Sequence, residues 1–325
     1  MTLLGQDRAV AAFRAAWDSR QLHHAWLLAG PKGVGKGTFA RAAALRVLAE
    51  AAGPPVDLPG LDVPHDHRIA RLVEAGSHPD FRLIKREVHE TGTNKGELRR
   101  GIVIDQVRKL QELFRAAPAL SPWRVAIIDC MDELEPQAQQ SLLKLLEEPP
   151  ANCLLLLVSH VPGRLLPTIR SRCRRLDFGA LDDATLDTIL AERQPSLTPE
   201  ARARLIALAA GSADRALAFA ELDLVPLAEE ALAILRRGDP DNSRRSRLAS
   251  ALALKAARPR YAAFLDIVPP LLAAEERAAE GLRRQRALAA YDQARETASI
   301  APRLSLDPAA TVFALGTIMA SVGEG

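Results

Sequence analysis

Cysteine and an excess of one charge are both scarce in this sequence, and each scarcity closes off a class of explanation. The three cysteines, Cys130, Cys153 and Cys173, stand far apart and without a CxxC spacing. That excludes a disulfide framework and leaves buried free thiols as the expectation. Lysine and arginine number 43 against 40 aspartate and glutamate, a formal net charge of +3. Such a balance is too small to argue for nucleic acid by itself, so any basic surface is local. No apolar run approaches about 18 residues without a charge, and no charged, apolar leader opens the chain. No membrane association and a cytoplasmic address are therefore expected. Hydrophobic residues still make up 48% of 325, enough to bury full cores in two or three domains.

One further absence bears directly on chemistry. Gly30-Pro31-Lys32-Gly33-Val34-Gly35-Lys36-Gly37 has the frame of a phosphate-binding loop, but glycine stands where a serine or threonine hydroxyl would ligate Mg²⁺. Backbone N–H groups of such a loop, at the N-terminus of a helix, point at phosphate oxygens, and Lys36 would add positive charge on the outer phosphates. Thr38 carries a hydroxyl, yet one residue along a helix rotates it by about 100° from the Gly37 direction. Arg124 to Asp129 reads as an apolar strand with a carboxylate at its end, and Asp129 is placed as the carboxylate that holds magnesium through water. Next to it, where an ATPase needs a glutamate to orient attacking water, stands Cys130, which cannot be that base. Gly30, Gly33, Gly35, Lys36 and Asp129 thus form a degenerate nucleotide site, binding ATP or ADP at most weakly. Asp132 and Glu133, beyond a turn, read as surface carboxylates.

The surrounding pattern alternates strands and helices. His24 to Ala29 reads as a strand, Thr38 to Ala51 as a helix, Phe81 to Ile84 as a strand, Ile104 to Arg115 as a helix, Glu135 to Glu148 as a helix stopped by Pro149-Pro150, and Leu154 to Val158 as a buried strand. This alternation implies a parallel sheet covered on both faces. After about Phe178 the composition turns to alanine, leucine and arginine with helical periodicity. Prolines at 195, 199, 226, 240, 259 and 269-270 divide it into short helices. Gly211-Ser212 separates two of them, Gly238 to Ser243 reads as a linker into a C-terminal bundle, and Asp307-Pro308 opens a last helix.

A second constellation follows: Leu142-Leu-Lys-Leu-Leu-Glu-Glu-Pro-Pro150, the Leu154 strand, Ser159, then Leu166-Pro-Thr-Ile-Arg-Ser-Arg-Cys173. With Gly5-Gln6, Leu22-His-His-Ala25, Ser77-His-Pro-Asp80 and Ala298 to Leu315, these strings fall in order over most of the chain. Together they resemble the clamp-loader branch of the AAA+ proteins. The resemblance implies a P-loop α/β domain with a parallel sheet over residues 1–178, an all-α lid over 179–225 and an all-α C-terminal collar over 226–325.

The resemblance also implies a role, that of a noncatalytic stator in a five-membered ring. The arginine of the Ser-Arg-Cys motif, here Arg172, would act in trans as a finger on ATP bound by a neighbouring motor. A planar guanidinium with a permanent charge suits a γ-phosphate in its transition state. By this reading the chain is no enzyme on its own and requires no cofactor. Its partners are gamma/tau-type motor subunits and a delta subunit, with the sliding clamp and primed DNA met through the assembled complex. The alternatives are an active motor ATPase, against which Gly37 and Cys130 argue, and an AAA+ adaptor outside replication. Many members of the branch carry a four-cysteine zinc module after the P-loop helix, but no cysteine occurs between Ala40 and Asp129. His65, His67, His78 and His89 lack ligand spacing, so no zinc and no other metal site is expected. Arg215 resembles the sensor arginine of active lids, with a structural role equally open.

Overall fold

A computed structural model describes residues 3–88 and 98–323, which divide into two compact units at Leu181 and Asp182. In the first, chain order is α1 (Asp7–Asp18), β1 (Ala25–Ala29), α2 (Lys36–Ala52), α3 (Arg68–Glu74), β2 (Phe81–Ile84), α4 (Ile104–Arg115), β3 (Arg124–Ile128), α5 (Pro136–Glu147), β4 (Cys153–Ser159), α6 (Pro167–Arg170) and β5 (Arg174–Asp177). The five strands form one sheet in the order β2-β3-β4-β1-β5, and every pairing is parallel. Apolar side chains alternate between the two faces of each central strand. Trp26, Leu28, Val125, Ile127, Leu154, Leu156 and Val158 pack with Phe13 of α1 and Phe39, Ala43 and Val47 of α2. Leu27, Ala126, Ile128, Leu155 and Leu157 point the other way, onto Val107 and Leu110 of α4 and Leu142 and Leu146 of α5. Burial on both sides is why these strands read as unbroken apolar runs.

The edge strand β5 has no such run. Of Arg174 to Asp177 only Leu176 is buried, and Arg174 lies with its guanidinium carbon 4.8 Å from the centre of the Trp26 ring. Two loops owe their form to single side chains. Asp80 accepts hydrogen bonds from the N–H groups of Ala119, Leu120 and Ser121 at 2.8, 2.7 and 2.9 Å, which fixes the approach to β3. The buried Arg46 donates to the carbonyls of Val56, Leu58 and Asp62, giving the irregular segment after α2 its shape.

The second unit is all helical: α7 (Asp183–Arg193), α8 (Pro199–Ala209), α9 (Ala213–Glu221), α10 (Val225–Arg237), α11 (Ser243–Ala253), α12 (Arg258–Ala278), α13 (Gly281–Leu304) and α14 (Pro308–Gly323). The helices α7, α8 and α9 pack on one another, α10 to α14 form a bundle, and α8 also touches α10 and α12. Two expectations change here. Residues 238–242 are a turn inside the bundle, with Ser243 opening α11, since α10 packs on α14 and α12. Pro269 and Pro270 do not end a helix but lie within α12, where burial of Ile267, Val268, Leu271 and Leu272 offsets the missing N–H groups. Pro199, Pro226 and Pro259 stand in first turns, and Asp307 caps α14 through the N–H of Ala310 at 2.8 Å.

A buried ion pair organises the bundle. The Asp239 carboxylate, 2% exposed, accepts from Nε of Arg245 at 3.1 Å and from the backbone N–H of Arg244 and Arg245. Arg245 also reaches Oγ1 of Thr317 at 3.0 Å. Its stem passes Gly316 so closely that a Cβ there would stand 2.6 Å from its Cγ.

Candidate functional site

The phosphate-type loop leaves the sheet at the C-terminal end of β1, where the strand order switches direction and α/β proteins place ligands. Gly30 has φ +155°, and a Cβ on it would lie 2.2 Å from the Phe178 carbonyl oxygen, so only glycine fits. Gly33 and Gly35 take φ +79° and +95°, the left-handed region that glycine adopts without strain. Lys36 opens α2 and is 2% exposed. Its ammonium donates to the carbonyl oxygens of Gly30, at 2.7 Å, and Pro31. The side-chain amide of Gln6 spans from Val34 O, at 3.0 Å, to Gly179 O, at 3.1 Å. Gln6 thereby clamps the loop, a role that its sequence position alone does not reveal.

Gly37 faces Asp129. A Cβ built on Gly37 would come within 3.3 Å of Oδ2 of Asp129, which is where a ligand hydroxyl and its partner carboxylate would share a magnesium ion. Thr38 points elsewhere, lining a cavity of about 420 Å³ with Arg41, Leu45, Leu58 and Leu61. The left-handed Gly33 and Gly35 and the buried Lys36 stand where a phosphate cradle needs them. At the magnesium position Gly37 brings no hydroxyl to face Asp129.

Cys130 is buried and bonded inward: Sγ donates to Oδ2 of Asp132 at 2.8 Å. Burial, reinforced by the Asp132 carboxylate, pushes the thiol up to about 12, which leaves no thiolate to act as a base near neutrality. Asp132 is not the surface carboxylate that its sequence context suggests. Besides Cys130, it accepts from Oγ of Ser159 at 2.9 Å and from the N–H groups of His160 and Val161, tying the end of β3 to the end of β4. Burial alone would raise its carboxyl, but these four donors together hold it below the usual range. Glu133 pairs with Arg86 at 2.9 Å.

Arg172 lies away from this loop. In the parallel register Arg174 is level with Trp26, and Asp177 with Ala29. Arg172 therefore precedes β5 at the end of the sheet opposite to the loop, separated from it by at least the length of β1, roughly 13 Å. Its Nη2 pairs with Oε1 of Glu147 at 3.0 Å, with side chains 36% and 47% exposed, and Nη1 donates to Thr168 O at 3.1 Å. Glu147 belongs to the Leu-Glu-Glu-Pro-Pro string, so the two motifs meet in space. Exposed pairs of this sort are weak and exchange readily for a better anion.

Other sequence expectations resolve locally. Arg215 donates to Ala209 O at 3.1 Å, closing the C-terminus of α8. Nδ1 of His67 and of His78 accepts a backbone N–H two residues on, and His89 lies outside the described residues. No described helix is long and apolar enough to cross a membrane.

Comparison with known proteins agrees with this architecture. The sequence pattern of the family described as "DNA polymerase III, delta subunit" matches residues 5–182. The chain is 34% identical to DNA polymerase III subunit delta' of Pseudomonas aeruginosa over 192 residues, 58% of this chain and 53% of that protein. It is 30% identical to subunit delta' of Bacillus subtilis over 194 residues, 59% and 53% of the two. It is 31% identical to subunit tau of Bacillus subtilis over 176 residues, 54% of this chain and 28% of tau. The matched part thus spans about half the length of the delta' relatives. The loop, the sheet and the Ser-Arg-Cys segment all lie within residues 5–182, and the chain belongs to the DNA polymerase III, delta subunit family, a group of clamp-loader subunits.

Proposed function

We propose that this chain is a delta-prime-like, noncatalytic subunit of a bacterial DNA polymerase III clamp loader. It serves as a stator that presents Arg172 to ATP on a neighbouring gamma/tau-type motor and helps place a sliding clamp on primed DNA. The observation that carries the reading is the separation of parts. The only guanidinium of a Ser-Arg-Cys motif sits on the sheet end opposite to a loop whose magnesium position is Gly37. That placement supports a role for Arg172 toward another subunit's nucleotide. Nucleotide on this chain is not required; the loop amides and Lys36 support weak ATP or ADP binding with little dependence on Mg²⁺.

In the second unit, α7 to α9 would serve as the lid and α10 to α14 as the collar. Leu282, Leu288 and Leu304 of α13 are exposed at 62, 50 and 66%, apolar surface of the kind that subunit packing covers. The match to subunit tau raises the alternative of an active motor, which Gly37 and the hydrogen-bonded Cys130 oppose. Mixing the purified chain with motor and delta subunits tests the reading by size exclusion. A single stoichiometric complex is expected; a chain that stays apart from both contradicts it.

A further inference from the structure

Thirty residues separate Cys130 from His160, and no spacing rule in the sequence joins them. The fold does, because β3 and β4 are adjacent central strands and both residues follow their C-terminal ends. One ligand atom each from Cys130, Asp132 and His160 lies within 4.8 Å of the other two. Two details distinguish this from an ordinary polar contact. Nδ1 of His160 is buried with no hydrogen-bond partner, an arrangement that costs free energy unless something occupies it. The Asp132 carboxylate is held by Ser159 Oγ and by the N–H groups of His160 and Val161, the outer-shell support that orients a carboxylate ligand.

We propose that Cys130, Asp132 and His160 form a binding site for one thiophilic divalent cation of the Zn²⁺ class. One sulfur, one nitrogen and one oxygen make a three-ligand set, with water completing a tetrahedron. The thiol proton now shared between Sγ and Oδ2 leaves to solvent, and the ion takes its place, so one proton is released for each ion bound. Bond lengths of about 2.3 Å to sulfur and 2.0–2.2 Å to nitrogen and oxygen set the ligand atoms roughly 3.3–3.7 Å apart. From the 2.8 Å contact of Sγ with Oδ2, this asks for a separation of under about 1 Å. Hard ions such as Mg²⁺ prefer all-oxygen shells and are excluded by the thiolate. The bound ion would lock the ends of β3 and β4 together, where a working ATPase would keep its catalytic glutamate. This proposal stands independently of the part assigned to Arg172.

Cobalt titration of the full-length chain, prepared without metal, tests it. Co²⁺ should bind at one equivalent with a thiolate-to-cobalt charge-transfer absorption and the intense visible bands of a tetrahedral ion, and Zn²⁺ should displace it. Cys130→Ser should abolish the charge-transfer absorption, while Cys153→Ser and Cys173→Ser should keep it. His160→Gln should weaken binding by more than the roughly 10- to 100-fold that loss of an outer-shell partner causes, and this variant carries the test if Cys130→Ser does not fold. Cobalt bound without a thiolate absorption, an absorption that survives in Cys130→Ser, or unchanged affinity in His160→Gln would each overturn the proposal.

Discussion

Replacing Arg172 by alanine should leave this subunit folded and assembled while nearly silencing one ATP site of the complex. Two magnitudes decide the contrast. On the folding side, the guanidinium loses an ion pair to Glu147 whose partners are 36% and 47% exposed, plus one hydrogen bond to Thr168 O. Exposed pairs contribute at most about 1 kcal/mol, so the melting temperature should move by only a few degrees. On the functional side, a trans arginine at a transferring phosphoryl group accelerates hydrolysis roughly 10³- to 10⁵-fold, about 4–7 kcal/mol of transition-state stabilisation. Only the site facing this subunit loses that; motor sites with their own fingers continue, so the bulk rate falls by that site's share. Arg172→Lys should recover part at most, because a point charge lacks the planar fork. Glu147→Gln frees the arginine and should leave hydrolysis intact. The assay is single-turnover and steady-state ATP hydrolysis by reconstituted complex with clamp and primed DNA, beside size exclusion to verify assembly. An Arg172→Ala complex whose single-turnover traces keep every fast phase would refute the reasoning.

Gly316→Ala should destabilise the second unit. A Cβ 2.6 Å from Cγ of Arg245 costs about 1–3 kcal/mol if the arginine shifts with its ion pair intact, or about 3–5 kcal/mol if the pair with Asp239 breaks. An unchanged urea midpoint would show that Arg245 is not held there. For Asp80, burial would raise the carboxyl, but the N–H groups of Ala119, Leu120 and Ser121 outweigh it and depress its folded value. The stabilisation is then complete above the unfolded value near 3.9 and lost as pH falls through the folded one. Asp80→Asn should cost about 1–3 kcal/mol near pH 7, with the gap to the unsubstituted protein narrowing only below about pH 4; a gap that closes already near pH 6 would assign the effect to another group. Burial pushes the Cys153 thiol to about 11 and that of Cys173 to about 12, so both should resist thiol reagents at pH 8 in native protein and react on unfolding. Prompt native labelling of either would contradict their placement.

Much of the first unit was legible because its signals are local. Phe81–Ile84 and Ile104–Arg115 have the expected bounds; the strands β1, β3 and β4 and the helix α5 differ by a residue at one or both ends, because runs of Leu, Val and Ile between polar turns mark strands buried on both faces. The edge strand β5 left no such mark, since Arg174 and Arg175 face solvent and register with β1 alone defines it. Helices α1 and α3 were not expected either: α3 follows a proline- and glycine-rich stretch whose order comes from a remote arginine, Arg46. At the site, Gly37 and Asp129 could be paired from motif spacing. The partners of Asp132 could not, because Ser159, His160 and Val161 reach it only through the pairing of β3 with β4. The meeting of Arg172 with Glu147 is likewise tertiary, though both residues belong to strings that stood out in the sequence.

This chain is expected not to turn over ATP by itself. Phosphate release from the purified, isolated chain with ATP and saturating Mg²⁺ tests that most directly. No release above the level of a Lys36→Ala preparation is expected; sustained turnover that disappears with Lys36→Ala would contradict this and identify the chain as a motor.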